Sequence, residues 1–329
     1  MKKVAIAAGA VLLTLVIAGV ALIQRPIPDS IIYGVTFSAQ HATEIGLDWR
    51  EVYIATLDEL GVRHLRIPAY WTQIEPTQDA YSWESLDFQI AEAEKRDASV
   101  ILAVGRRLPR WPECHVPEWA KELSWQEQQQ EILAQIEATV LRYRESPAVA
   151  YWQVENEPFL TAFANEHCGW LDEDFLDREI ALVRGLDSRS IILTDGGNFG
   201  AWFGAYRRAD MFGTSMYLYF WRPEVGAFRT ILPVAYYRAK TNLVSLLLGK
   251  KPVFLSELSL EPWLAADIND VPMVEQEERM SLEKMDEIIA YAARSSYGLQ
   301  YVWGVEWWFW MKERGNVVYW NKAKEFFRD

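Results

Sequence analysis

The sequence predicts an α/β chain, a single-domain (β/α)8 barrel over residues 31–329, preceded by an N-terminal transmembrane anchor or signal segment over residues 1–30. Three observations predict it. Short β-branched runs alternate with longer stretches of helical period. The alternation is completed eight times, each strand followed by a helix. No linker or low-complexity segment interrupts it after Ser30, and 329 residues fit one barrel of ordinary size.

The strands are read at Ile31–Thr36, His64–Pro68, Ser99–Gly105, Ala148–Glu155, Ile191–Asp195, Met211–Met216, Pro252–Ser256 and Tyr301–Val305. Strands of a parallel barrel are buried on both faces, so they read as continuous apolar runs. The helices between them are read at Asp48–Leu60, Trp83–Lys95, Trp125–Tyr143, Asp172–Leu186, Ala201–Arg208, Pro233–Leu248, Glu275–Ser295 and Lys322–Phe327. A doubly wound open sheet is the competing topology. It requires a glycine-rich first turn, and Ile31–Ser38 has no G-x-G-x-x-G.

Ahead of the barrel, Lys2 and Lys3 precede an unbroken apolar run from Val4 to Ile23, and two prolines follow at Pro26 and Pro28. Twenty apolar residues suffice to span a bilayer. The expectation is an uncleaved anchor with the lysine pair inside and the barrel outside; the alternative is a cleaved secretory signal. Both place the barrel outside the cytoplasm, membrane-anchored or secreted. There, Cys114 after strand 3 and Cys168 after strand 4 sit in adjacent loops on one rim and are expected to pair.

Composition excludes other classes. Lys and Arg number 33 against 46 Asp and Glu, a net charge of −13, so a basic nucleic-acid footprint is absent. Half the residues are hydrophobic, which excludes a disordered chain. The four His and two Cys share no metal-ligand spacing, so neither metal nor cofactor is expected. The 16 Trp, with 15 Tyr and 14 Phe, exceed what a core needs, and exposed rings suit flat sugar faces. The expected partner is a carbohydrate, bound by a monomer.

Active sites of such barrels lie at the C-terminal ends of the strands. Strand 4 ends in Asn156-Glu157-Pro158 and strand 7 in Ser256-Glu257. Two carboxylates then share one rim from opposite sides of the ring. Glycoside hydrolysis uses such a pair: one carboxyl protonates the leaving oxygen, and the other attacks the anomeric carbon or activates water. In the retaining geometry they stand roughly 5–5.5 Å apart. The acid requires a raised pKa, which burial and the second carboxylate supply. Glu75 and Glu155 are read as structural groups, Glu155 deeper on the same strand face as Glu157.

Asn156-Glu157-Pro158 together with Glu257 resembles the clan A glycoside hydrolases, which are TIM barrels, from Ile31 to the C-terminus. The resemblance implies that Glu157 is the acid/base and Glu257 the nucleophile, with retention of configuration. It further implies that Arg66 of Leu65-Arg66-Ile67-Pro68 hydrogen-bonds the nucleophile, that Asn156 bonds the sugar 2-hydroxyl, and that Tyr217 stands beside the nucleophile, with Tyr219 the competing candidate. At strand 8, Trp303-Gly304-Val305-Glu306-Trp307-Trp308 supplies a tryptophan floor; alternation lets only one of Trp307 and Trp308 face inward, and Trp307 is preferred. Trp71, Trp111, Trp119, Trp170, Trp221 and Trp263 are further rim aromatics, with Trp71 and Trp111 placed in the site. Arg66–Asp87 and Trp152–Glu157 look like family 42 β-galactosidases and family 5 cellulase-like enzymes.

The expected activity is a retaining β-glycoside hydrolase acting on an oligo- or polysaccharide by double displacement. A catalytically silent carbohydrate-binding barrel and a transglycosylase at the cell surface are the alternatives.

Overall fold

The computed structural model describes residues 19, 23–160, 168–222, 225–264 and 266–327. Among the described residues ten strands run in chain order: β1 (Ile32–Thr36), β2 (His64–Pro68), β3 (Ser99–Val104), β4 (Val149–Val154), β5 (Ile191–Asp195), β6 (Met211–Ser215), β7 (Tyr219–Arg222), β8 (Gly226–Arg229), β9 (Val253–Ser259) and β10 (Leu299–Trp303). Eight of them close a parallel barrel in the order β1-β10-β9-β6-β5-β4-β3-β2. β7 and β8 form an antiparallel hairpin in the loop after β6, which the sequence reading did not separate.

Side chains fill the barrel in layers. Ile101, Ile192, Phe254 and Tyr301 form the inner apolar layer. Gly34 on β1 makes room for it, since a Cβ there would lie 2.6 Å from the Tyr301 ring. Above this layer, towards the C-terminal ends, Arg66 and Gln153 turn inward and bond across the barrel at 2.7 Å. The polar layer therefore rests on an apolar floor. A second apolar core lies between strands and helices.

The helices follow their local signals. Ser124 and Glu127 form a capping box that starts the helix Trp125–Tyr143. Asp172 accepts from the Phe175 amide to start Glu173–Leu186. The expected helix Glu275–Ser295 is two helices, Met273–Arg279 and Leu282–Ala293, because Ser281 caps the second. Its neighbour at the C-terminus was placed too late: β10 is followed by Val305–Glu313 and then Val318–Ala323.

The final strand shifts the site. It ends at Trp303, two residues before the expected end, because Gly304 adopts φ 119° and turns the chain into a helix. No helix among the described residues is long and apolar enough to cross a membrane. The run Val4–Ile23 lies almost wholly outside the described residues.

Candidate active site

At the C-terminal mouth of the barrel lies a cavity of about 320 Å³, lined among others by Asn156, Glu157, Tyr217, Glu257, Trp263 and Trp303. This volume is at the lower end of ligand sites.

Glu257, on β9, is buried and held at both oxygens. Its Oε1 accepts from Arg66 Nη1 at 3.1 Å, and its Oε2 from the Tyr217 hydroxyl at 2.8 Å. Arg66 comes from β2 and is fully buried. Its guanidinium serves three side-chain acceptors: Nε donates to Gln153, Nη1 to Glu257, and Nη2 to Asn156 Oδ1 at 2.6 Å. Such a fork fixes positions that a point charge does not. Burial, and then the nearby Glu257 and Glu157, raise the Tyr217 phenol well above its ordinary range, so it stays a neutral donor. Tyr219 lies apart: its hydroxyl bonds Glu287.

Glu157 has the opposite environment. It is buried, and its Oε1 has no hydrogen-bond partner among the described residues. Burial first, then the charge of Glu257, pushes its carboxyl well above the usual range. Two carboxyls on one cavity thus have different surroundings: Glu257 is bonded at both oxygens, and burial favours the protonated form of Glu157.

The backbone places them. Glu155 and Glu157 adopt φ 57° and 46°, left-handed conformations that cost on the order of 1–3 kcal/mol each. The turn is held by the Asn156 amide on the Arg107 carbonyl at 2.6 Å and the Glu157 amide on Thr194 Oγ1 at 2.9 Å. It also breaks strand alternation. Glu155 therefore does not share a face with Glu157; its carboxylate turns outward onto the amides of Arg106 and Arg107, beside Glu179.

Several aromatic assignments are corrected. Neither Trp307 nor Trp308 faces the cavity. Both are fully buried in the helix Val305–Glu313, Trp307 donating to Gln276 and packing on Tyr319, and Trp308 donating to the Leu260 carbonyl. Trp303 occupies the strand end instead and lines the cavity, its Nε1 without a partner among the described residues. Trp71 is also buried, donating to Glu75 and packing edge-on against Trp119. Glu75 has the structural role expected of it, accepting from Trp71 and the Asp79 amide. Trp111 does line the cavity and is 64 % exposed. Trp170 stands over a separate depression.

One wall escaped sequence reading. Arg110, from the loop after β3, pairs with Glu261 and with Glu306, and lies 4.9 Å from the Trp303 ring. The other oxygen of Glu306 accepts from the Ser38 amide at 2.6 Å. The network joins the segments after β1, β3, β9 and β10, Glu306 from the first turn of the helix Val305–Glu313, and no single segment of sequence marks it. Beside it, burial lowers His115 to about 4, which keeps the ring neutral. Cys114 and Cys168 form a disulfide with Cα atoms 5.4 Å apart, tying the loop of Trp111 to the loop after β4. Among the described residues no cluster of His, Cys, Asp or Glu is arranged to hold a metal.

The family model for cellulase (glycosyl hydrolase family 5) matches residues 37–220. The chain belongs to glycosyl hydrolase family 5. It is a glycoside hydrolase. The matched span includes Asn156-Glu157-Pro158 and ends before Glu257. No curated protein matches the chain. Among solved structures it is similar to a GH5_18 variant from Streptomyces cattleya in complex with Manβ1-4GlcNAc, with 13% identity over 83% of this chain and 71% of that one, and a TM-score of 0.58. It is also similar to xylanase 10B from Thermotoga petrophila (14%, 83% and 82%, TM-score 0.51). The β-galactosidase of Marinomonas ef1 gives 14% and a TM-score of 0.55, and this chain spans 54% of it. At these identities the likeness establishes the fold alone.

Proposed function

We propose that this chain is a retaining β-glycoside hydrolase that cleaves an oligo- or polysaccharide by double displacement. The observation that carries the reading is the contrast between its two cavity glutamates. Glu257 is bonded at one oxygen by Arg66 and at the other by Tyr217, which aims it. Glu157 is buried with an unpartnered oxygen and favours the protonated form.

In the first step the Glu157 proton passes to the glycosidic oxygen as the bond to C1 breaks, and a Glu257 oxygen attacks C1 to form a glycosyl ester. In the second, Glu157, now ionised, takes a proton from water as the water oxygen displaces Glu257. Ionisation of Glu157 in the first step coincides with neutralisation of Glu257, so the two buried charges are never both present for long. Asn156 Oδ1 is committed to Arg66, leaving its amide N–H to meet the sugar 2-hydroxyl. Trp303 offers a ring face and a free indole N–H. Trp111 and Trp263 stand further out, where flanking sugar units would stack.

The same proposal places the barrel outside the cytoplasm, tethered through Val4–Ile23. The apolar run and the Cys114–Cys168 bond support it. The activity is tested with a panel of aryl β-glycosides, following the first-formed anomer of the sugar by NMR. A β-anomer is expected; an α-anomer as first product means inversion and removes the nucleophile role from Glu257.

A further inference from the structure

The eight barrel strands are parallel, so all of them start at one end of the barrel, and the catalytic cavity lies at the other. Two features meet at the starting end. The helix Val234–Leu248 finishes there, before β9. The chain leading into β1 arrives there too: the Gln24 carbonyl accepts from Asn242 Nδ2 of that helix at 3.3 Å, and the Arg25 carbonyl from Ser296.

The last turns of this helix are apolar and uncovered. Leu246 is 74 % exposed and Leu247 60 %, and Leu243 shares their face at i+3 and i+4 spacing. The helix and the residues that follow it are basic in sequence. The chain carries no Asp or Glu between Glu224 and Glu257, although it holds 46 such residues in all. Within that stretch lie Arg238 and Lys250. Arg238 and Arg25 line a shallow depression with Ile23, and Arg238 Nε is buried without a partner among the described residues. An exposed apolar patch rimmed by cations, on an acidic protein, has the chemistry of an interfacial membrane contact.

We propose that this end of the barrel seats on an anionic lipid bilayer. Leu243, Leu246 and Leu247 enter the interface, and Arg25 and Lys250 meet headgroup phosphates. The proposal rests on the reading of Val4–Ile23 as a membrane segment. That run ends one residue before Gln24 is bonded to the helix, so no slack separates bilayer from barrel. The seat points the catalytic mouth away from the membrane, towards soluble or wall-borne glycan.

The test uses the full chain reconstituted in vesicles containing spin-labelled phosphatidylcholine, with or without phosphatidylglycerol. Leu247→Cys carries a bimane fluorophore, and Ile231→Cys, a 94 % exposed position before the same helix, is the control. Bimane at 247 is expected to lose most of its emission to the spin-labelled lipid, more so in anionic vesicles, while bimane at 231 keeps it. Lys250→Glu with Arg25→Glu is expected to abolish the anionic preference. A chain that floats with the vesicles but keeps its emission at 247 overturns the seat and leaves the anchor intact. A chain that does not float overturns both. Shielding at 247 that rises with protein concentration without lipid assigns the face to a second copy and also overturns the proposal.

Discussion

Replacing Arg66 with Lys keeps the charge beside Glu257 and removes the fork. The guanidinium reaches Gln153 at 2.7 Å, Asn156 at 2.6 Å and Glu257 at 3.1 Å through three different nitrogens. One ammonium on a longer stem cannot hold all three acceptors in that plane. If Lys keeps Glu257, two charge-assisted hydrogen bonds are lost, each about 1.5–3 kcal/mol, or roughly 3–6 kcal/mol in all. Buried Gln153 Oε1 and Asn156 Oδ1 are left short of a donor. The loss divides between folding and the transition state, because Arg66 both fills the barrel and aims Asn156 and Glu257. With half of it in the barrier, kcat/KM falls roughly 10–100-fold, at 1.36 kcal/mol per decade. Urea unfolding and kcat/KM on an aryl β-glycoside, measured on the same preparation, read the two parts. Arg66→Lys with unfolding free energy and kcat/KM both within twofold-equivalent error of the parent refutes the fork.

Other outcomes follow from the same geometry. Glu157→Gln is expected to lose about 10²–10⁴ in kcat on substrates with poor leaving groups and much less with dinitrophenyl leaving groups; equal losses on both contradict an acid role. Because the folded state raises the Glu157 carboxyl, its stability contribution is complete below the ordinary value of 4.5 and is lost as pH rises towards the folded value. Glu157→Gln is therefore expected to gain relative stability at neutral and alkaline pH, read by melting temperature against pH. Trp307→Ala is expected to cost about 3–5 kcal/mol of stability while the surviving folded enzyme keeps its KM; Trp303→Ala is expected to raise KM with a smaller stability loss. Reducing the Cys114–Cys168 bond, which spans 54 residues, is expected to cost about 2–4 kcal/mol by thermal unfolding in reductant, and to raise KM by loosening the Trp111 loop.

The barrel was legible because its strands are buried on both faces. His64–Pro68 and Ile191–Asp195 are read from the sequence with the bounds they have in the structure. The glutamates were legible as a pair: Glu157 comes just past one buried run and Glu257 closes another, and both line the cavity at the ends of those strands. Tryptophans 303 to 310 were not, because Tyr301–Met311 is apolar almost throughout, and periodicity cannot separate a buried strand from a buried helix. Gly304 was the available signal, since a glycine between two apolar runs marks a left-handed turn. Trp71 misled for want of a partner: only the fold brings Trp119 against it. Glu155 was placed on the wrong face because two left-handed residues in succession around Asn156 are not written in any local propensity. The Arg110–Glu261–Glu306 wall lay beyond reach altogether, its members being drawn from segments up to 196 residues apart.

The most direct measurement is mass spectrometry of the enzyme inactivated by activated 2-deoxy-2-fluoro β-glycosides, whose glycosyl-enzyme intermediate accumulates when the first step outruns the second. The account predicts one fluoroglycosyl ester, on the peptide containing Ser256-Glu257-Leu258 and on Glu257 itself. A label on Glu157 or another residue, or turnover to product from parent glycosides with no trapped ester from any matching inhibitor, contradicts it.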